Sequence, residues 1–462
     1  MRVFLRDIKE RLPELEILNY SPDVSFSKFS HDTRELEADS LYSPIIGESF
    51  DGHEYIEKAL SKGSTISLCE ISKKDLVENI SSPIILTNNI QVTLAEILDI
   101  FLEKVHKSAK IVAITGSTGK TTTREMISAV LEKKGQVLHS STNINTLWGN
   151  AELLDDYNGE EYIVLEFGTD KKGEIEQQCK GIRPDIGVLL NIGFVHAGSL
   201  GVIENIYQEK KDLANFLREE NRVLVLNIDD ERLIRIEEEF NDKLTTYGRN
   251  KDSDIRIVET SLSKSGTYVK ISHSGKEYGI NLKILGNGYA YNTCATFCIG
   301  IEMGLDSANI IKSLEEYEGF DSRFQLIRIS ENIDLINDAY NANPTSMKMS
   351  IDTFYKLYKD EYDEKVLILG DMKELGEYTE KEHKKVGERV KELGLKKGNV
   401  YYFGEYFNYF GYGQRLSDLK DVVKVIKKYQ NTRKKIIFLI KGSHGSNLYK
   451  LPELLFPSNI SS

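Results

Sequence analysis

Apolar residues in this chain come in short unbroken runs, each followed by a polar turn and then by helical spacing. IVAIT (111–115) reads as a buried strand. It runs into a glycine turn and then into a helix over Thr122–Lys134, with Met126, Ile127, Val130 and Leu131 on one face and Gly135 placed to close it. YIVLEFG (162–168), DIGVLLNIG (185–193) and RVLVLNI (222–228) repeat the pattern. Continuous apolar strands alternating with helices predict a parallel sheet covered by helices. Farther along, VLILG (366–370), VYYFG (400–404) and KIIFLIKG (435–442) predict a second, smaller α/β unit. Upstream, short strands such as SLYSPII (40–46) mix with a helix around Glu54–Lys62, and TLAEILDIFLEKVHK (93–107) has the spacing of an amphipathic helix. Over Ile203–Leu217 the apolar stripe is Ile203, Ile206, Leu213, Ala214 and Leu217; Lys210 falls on that stripe and Lys211 mostly off it. The expected fold class is α/β in three domains: a small mixed domain over 1–85, a central parallel-sheet domain over 86–317, and a Rossmann-like domain over 318–462.

Length agrees, since 462 residues allow three domains at about 150 residues each. With 40% hydrophobic and 29% charged residues, the composition is that of an ordinary globular protein. No apolar run is long enough to span a membrane, and the opening MRVFLRDIKERLPELEIL lacks the apolar core of a signal peptide. A net charge of -12 disfavours a nucleic-acid partner. The four cysteines, Cys69, Cys179, Cys294 and Cys298, form no CxxC pair. Only the last two are close, at a spacing that puts them on one helix face. Neither a zinc ribbon nor a disulfide framework is indicated, and a reduced cytoplasm is the simplest compartment.

The strongest local signal is AITGSTGKTTT (113–123), a buried strand entering a glycine-rich turn that opens a helix. Gly116 and Gly119 let the backbone amides of Ser117, Thr118 and their neighbours, up to Thr122, curl around phosphate oxygens. The helix N-terminus adds its partial positive charge. Lys120 is placed to reach terminal phosphates and the Thr121 hydroxyl to ligate magnesium. The common phosphate-loop spacing needs glycine at position 114, where Ile114 stands, so the loop is a shortened variant. Glu166 ends one apolar strand and His196 follows another, which is where ligands bind in open α/β sheets.

GSTGKTTT and six further segments, in order, resemble the Mur ligases, which build the peptide stem of bacterial peptidoglycan. SHDTREL (30–36) and SFDGHEYIEKAL (49–60) lie in the first domain. LEFGTDKKGEIE (165–176), NIGFVHAG (191–198) and EKKDL (209–213) lie in the second. NDAYNANPTSM (337–347) and LGDMKELGEYTEKEH (369–383) lie in the third and point to the branch that adds D-alanyl-D-alanine. The resemblance implies an ATP-dependent carboxylate–amine ligase that activates a UDP-linked cell-wall peptide as an acyl phosphate and joins it to an amino acid or dipeptide. It implies ATP and two Mg2+ ions, held by Thr121, Glu166, His196 and a carbamylated Lys210, with Lys120, Lys210, His196 and Glu166 as the catalytic set. Asn292 would meet the adenine, Arg323 the ATP phosphates and Asp338 the ribose. Thr33, Arg34, Asp51, Gly52 and His53 are candidates for the UDP-sugar site, although the DGH segment reads equally well as a tight turn. Members of this branch are commonly monomers, and a monomer without membrane insertion is expected.

Three departures from the family pattern bear on the substrate, on the adenine and ribose contacts, and on the setting of the reactive lysine. NINTLWGNAELL (143–154) replaces a small apolar run, a family G-x-H-N segment reads Gly286-Asn287-Gly288-Tyr289, and Asp212 stands where a glutamate usually follows the reactive lysine. Two alternatives therefore stay open: an archaeal pseudomurein peptide ligase with the same chemistry, and a catalytically silent nucleotide-binding subunit. A folate polyglutamate ligase ranks below both, since it lacks the DGH and GDMxELG segments.

Overall fold

The structure is a computed structural model. It describes residues 2–47, 49–105, 109–141, 144–195, 197–240, 243–319, 322–430 and 432–455. Three large sheets are each drawn from one stretch of chain. The first has five strands in the order Glu16–Leu18, Ile84–Thr87, Ile66–Glu70, Ser40–Tyr42 and Lys28–Ser30, parallel except at the first pair. The helix predicted near Glu54–Lys62 is a 3-10 turn, Gly52–Tyr55, followed by an α-helix, Ile56–Ser61. Ile90–Val105 forms the amphipathic helix expected after it.

The central sheet has nine strands. Its parallel core runs Leu244–Gly248, Val223–Asn227, Ile186–Leu189, Lys110–Thr115, Tyr162–Glu166, Val137–His139. Ile111 through Thr115 and Tyr162 through Glu166 are all buried, because helices cover both faces. That is why these strands read as unbroken apolar runs. The helix after the glycine turn is Lys120–Leu131, shorter than the sequence suggested. Gly135 follows the helix end without a left-handed φ, and its N–H bonds to the Leu131 carbonyl at 3.1 Å.

One feature of this sheet was not anticipated. Ile255–Ser263, Gly266–His273 and Lys276–Leu282 extend it as an antiparallel meander with the alternating burial of a one-sided sheet.

The third sheet has six strands, Gln325–Ser330, Ile333–Asn337, Ile436–Lys441, Glu364–Gly370, Val400–Phe403 and Gln414–Leu416, antiparallel only at its first pair. The second and third units touch directly. Phe194 packs on Tyr378 with ring centroids 4.7 Å apart, and the Gly198 N–H donates to the Glu374 carbonyl at 3.1 Å. All four cysteines are buried and free. Among the described residues no helix is long and apolar enough to cross a membrane.

Candidate active site

A cleft of about 850 Å3 opens between the central and third sheets. Its wall is built where parallel strands end: Ser117 after Lys110–Thr115, Asn191 after Ile186–Leu189, Asp229 after Val223–Asn227, Asp338 after Ile333–Asn337 and Ser443 after Ile436–Lys441. Strand ends in open α/β sheets are where backbone groups and helix N-termini are free to meet a ligand.

The glycine turn forms the floor. Gly119 adopts φ 88°, which an L side chain resists, and a Cβ there would sit 2.9 Å from the Asn292 amide nitrogen. The Asn191 side chain brackets the loop, accepting from the Thr118 N–H at 2.9 Å and donating to its carbonyl at 3.0 Å. Ser117 Oγ donates to the Gly193 carbonyl at 3.0 Å and accepts from the Gly193 N–H at 2.8 Å. Asn292 donates to the Gly119 carbonyl at 3.1 Å and to Thr123 Oγ1 at 2.8 Å. Its amide is therefore spent on the phosphate loop. The Lys120 ammonium bonds to the Gly116 carbonyl at 2.8 Å; burial pulls its pKa down while Glu166 pushes it up.

Glu166 is buried at the head of this loop. Its Oε1 accepts from Arg124 at 2.8 Å and its Oε2 from the Thr121 hydroxyl at 3.3 Å. Burial raises the carboxyl above its ordinary range against the pull of Arg124 and Lys120. Arg124 is 1% exposed and was not singled out in the sequence; the only cue was its place four residues after Lys120 on the loop helix. Thr121 and Glu166 supply the hard oxygen donors that magnesium takes alongside substrate phosphates, so these residues fit that ion. Among the described residues no group of three or more His, Cys, Asp and Glu side chains is arranged to hold a metal ion. His196 lies outside the described residues.

Lys210 lies on the helix Ile203–Glu219 and is 1% exposed, as the apolar stripe predicted. Among the described residues it has neither a hydrogen-bond nor an ion-pair partner. Burial first, then Lys120, lowers its pKa to about 7, so a large fraction of the amine is neutral at physiological pH. The neighbouring Glu209 does not neutralise it by contact, because that carboxylate caps the helix Glu174–Ile182. It accepts from the Gly173 and Ile175 N–H groups at 2.7 and 2.9 Å and from the Thr169 hydroxyl at 3.2 Å. Among the described residues the Asp212 carboxylate accepts only from the Asn215 amide, at 3.4 Å.

The third unit contributes Arg323, Asp338, Tyr340, Lys373, Lys441 and His444 to the cleft. The Arg323 guanidinium lies over the Tyr340 ring at 4.2 Å. Tyr289, at one of the departures noted in the sequence, also lines the wall. At neighbouring Gly288 a Cβ would collide with the Met349 methyl at 2.3 Å, so this methyl occupies the space a larger residue would need.

The first-domain candidates lie away from the cleft. Arg34 is exposed and bonded to Asp32 at 2.9 Å. Thr33 is buried, and its carbonyl accepts from Lys62 at 2.7 Å. His53 is buried with both ring nitrogens in use, Nδ1 on Asp51 at 2.6 Å and Nε2 accepting from the Glu70 N–H at 3.2 Å. Asp51 also meets Lys73 at 3.0 Å, and a Cβ on Gly52 would strike the Ile45 backbone at 2.7 Å. The DGH segment is thus a tight turn whose polar side chains are satisfied internally.

This unit docks onto the helix Leu147–Leu154. Trp148 donates to Ser43 Oγ at 2.9 Å, and Glu152 accepts from the His31 N–H at 2.9 Å and meets its ring at 2.7 Å. Asp155 accepts from the Phe29 N–H at 2.7 Å.

A glycine loop at the strand ends lines one cleft with an arginine from a second α/β unit, an arrangement suited to a phosphate-bearing ligand. The pattern of the Mur ligase middle domain matches residues 114–300, and that of the Mur ligase glutamate ligase domain matches residues 322–444. The chain belongs to the Mur ligase family. It is 31% identical over 441 residues, 93% of each chain, to the UDP-N-acetylmuramoyl-tripeptide–D-alanyl-D-alanine ligase of Bacillus subtilis. A MurF ligase from Thermotoga maritima solved in complex with ADP superposes with a TM-score of 0.78 at 25% identity, covering 93% of this chain and 96% of that one. MurF from Acinetobacter baumannii shares the fold, with a TM-score of 0.83, 21% identity and 99% coverage of each chain.

Proposed function

We propose that this protein is the ADP-forming ligase that joins D-alanyl-D-alanine to a UDP-N-acetylmuramoyl-tripeptide in peptidoglycan precursor synthesis. The observation that carries the reading is the cleft itself. The loop residues 117–122 and Glu166 stand on one unit while Arg323 and Asp338 face them from the other. Amide formation from a carboxylate needs a better leaving group than oxide. The peptide carboxylate attacks the γ-phosphorus of ATP to give an acyl phosphate and ADP. The dipeptide amine then attacks the acyl carbon, and inorganic phosphate leaves. The first step brings anions together, so cations must lie between them. Lys120 and Arg323 supply fixed positive charge. Two Mg2+ ions, held through Thr121, Glu166 and His196, would neutralise the phosphates.

Lys210 fits a further role. Its neutral amine can attack carbon dioxide, lose a proton and become a carbamate, which turns a buried cation into an anionic oxygen ligand for magnesium. Neutrality of the amine is the requirement for that addition, and burial provides it. Asp338 would meet the ribose. Asn292, anchored on the loop through its amide nitrogen, is the proposed adenine contact. The three sheet-bearing segments, 1–85, 86–317 and 318–462, serve as UDP-sugar, ATP and incoming-amine domains. In the first, Thr33, Arg34, Asp51, Gly52 and His53 are the proposed UDP-sugar residues, and Arg34 would have to exchange its bond to Asp32 for the ligand. A cytoplasmic monomer suits substrates of this kind.

The test is phosphate release and product mass with ATP, magnesium and UDP-N-acetylmuramoyl-tripeptide, with and without D-alanyl-D-alanine. Release that requires both, with the dipeptide added to the product, establishes the reading. Turnover only with a UDP-linked archaeal peptide moves the same chemistry to pseudomurein. No release with either substrate returns the silent-subunit alternative.

A further inference from the structure

Lys441 ends the strand Ile436–Lys441, whose other five residues, IIFLI, are apolar and buried. It is 2% exposed, and its ammonium is bound on three sides. It reaches Asp338 Oδ2 at 2.9 Å, the Asp338 carbonyl at 3.2 Å and the Asn341 carbonyl at 3.1 Å. A buried ion pair of this kind often adds little stability over an apolar residue of similar size, which directs attention to the geometry it holds. What it fixes is visible one bond farther on. The other oxygen of Asp338 accepts from the Phe324 N–H at 3.2 Å.

Phe324 and Ser322 flank Arg323, and both are left-handed, with φ 53° and 61°. Non-glycine residues hold that conformation only when their surroundings enforce it. Here the enforcement comes from the strand end that Lys441 stabilises. Ser322 Oγ accepts from Asn337 Nδ2 at 3.0 Å, and the Ser322 carbonyl accepts from the Tyr340 N–H at 3.3 Å. The Arg323 guanidinium that results lies in the cleft, pairs with no carboxylate among the described residues and has a buried Nε without a partner.

We propose that Lys441 is a positioning residue for phosphoryl transfer: it sets the Asp338 carboxylate, Asp338 grips the Phe324 N–H, and the two left-handed residues aim Arg323 at the phosphate loop. This rests on the ligase reading, in which Arg323 meets the ATP phosphates.

The test is a double-mutant cycle of Lys441→Met and Arg323→Lys, read as kcat and as KM for each substrate, with thermal melting as the check on folding. Lys441→Met is expected to lower kcat by about 30-fold and to leave KM for D-alanyl-D-alanine unchanged. The double variant is expected to be no more than about threefold slower than Arg323→Lys alone, because both act through one group. Lys441→Arg, which keeps the charge, restores most of the lost rate. A purely structural lysine would instead give losses that multiply. Multiplying losses, or a Lys441→Met rate within about threefold of the parent, overturn the proposal.

If Lys441→Met does not fold, the same cycle with Lys441→Gln, whose amide can still donate to Asp338, decides by the same criterion. If the parent protein turns over none of the substrates, the ligase reading fails. The cycle is then read from Mg·ATP affinity by calorimetry, where non-additivity supports the linkage and additivity refutes it.

Discussion

Lys210 is a lysine that burial has made weakly basic, and this has two measurable consequences. Substitution by alanine removes both the amine and any carbamate built on it. Lys210→Ala is expected to lose phosphate release, and added formate or acetate to return part of it; an inactive variant that short carboxylates do not rescue counts against the carbamate. Stability carries the second signature, in protein freed of carbon dioxide. The folded-state pKa is about 7 against an ordinary 10.5, so between those values the unfolded chain binds the extra proton. Stability therefore rises as pH goes from about 7 toward 10. Lys210→Met is expected to remove that rise in denaturant titrations across the same window.

At the scale of elements, the helix Leu147–Leu154 ties the first unit to the second through Trp148, Glu152 and the capping residue Asp155. Burial pushes the Asp155 carboxyl up to about 8 from 3.8, and its Oδ1 has no partner. Here the folded state is the one that holds the extra proton. This contribution to stability falls as pH rises from about 4 to about 8, and the penalty is complete above that. Asp155→Asn is expected to raise the melting temperature at pH 8.5 and to change it little at pH 4, by calorimetry at both pH values.

Elements also show what the sequence could convey. The phosphate-loop helix and the buried Lys210 were readable because each lies within one local periodicity. The meander 255–282 alternates with period two, and Ser274-Gly275 makes its second turn with φ 49° and 76°. That signal was present but was outweighed by the louder apolar runs of the parallel strands. Arg124 and Lys441 were not readable by pattern. Their partners Glu166 and Asp338 lie 42 and 103 residues away, and only the folded sheets bring them within hydrogen-bonding distance. The DGH segment was readable as a turn but not as a satisfied one, because the Glu70 N–H that occupies His53 comes from another strand.

Across the whole molecule, the site exists only where two units meet. The Gly198–Glu374 bond and the Phe194–Tyr378 contact hold the cleft walls together, and a nucleotide spanning them adds to that hold. Magnesium and ADP at a hundredfold excess over their dissociation constant are expected to stabilise the folded chain by about 2.7 kcal/mol. Thermal melting with and without ligand measures this. Lys120→Ala is expected to lose most of the shift, and chelating magnesium with EDTA to abolish phosphate release.

The indole of Trp148 sits half-buried at the seam between the first and second units, with its N–H on Ser43, and the sequence contains no other tryptophan. Selective excitation of indole therefore reads one place in a chain of 462 residues. A change in the colour or intensity of that emission marks an event at this seam, and phosphate release marks one at the ATP cleft. The protein thus carries a built-in optical probe by which docking at the first unit can be timed separately from the chemistry at the second.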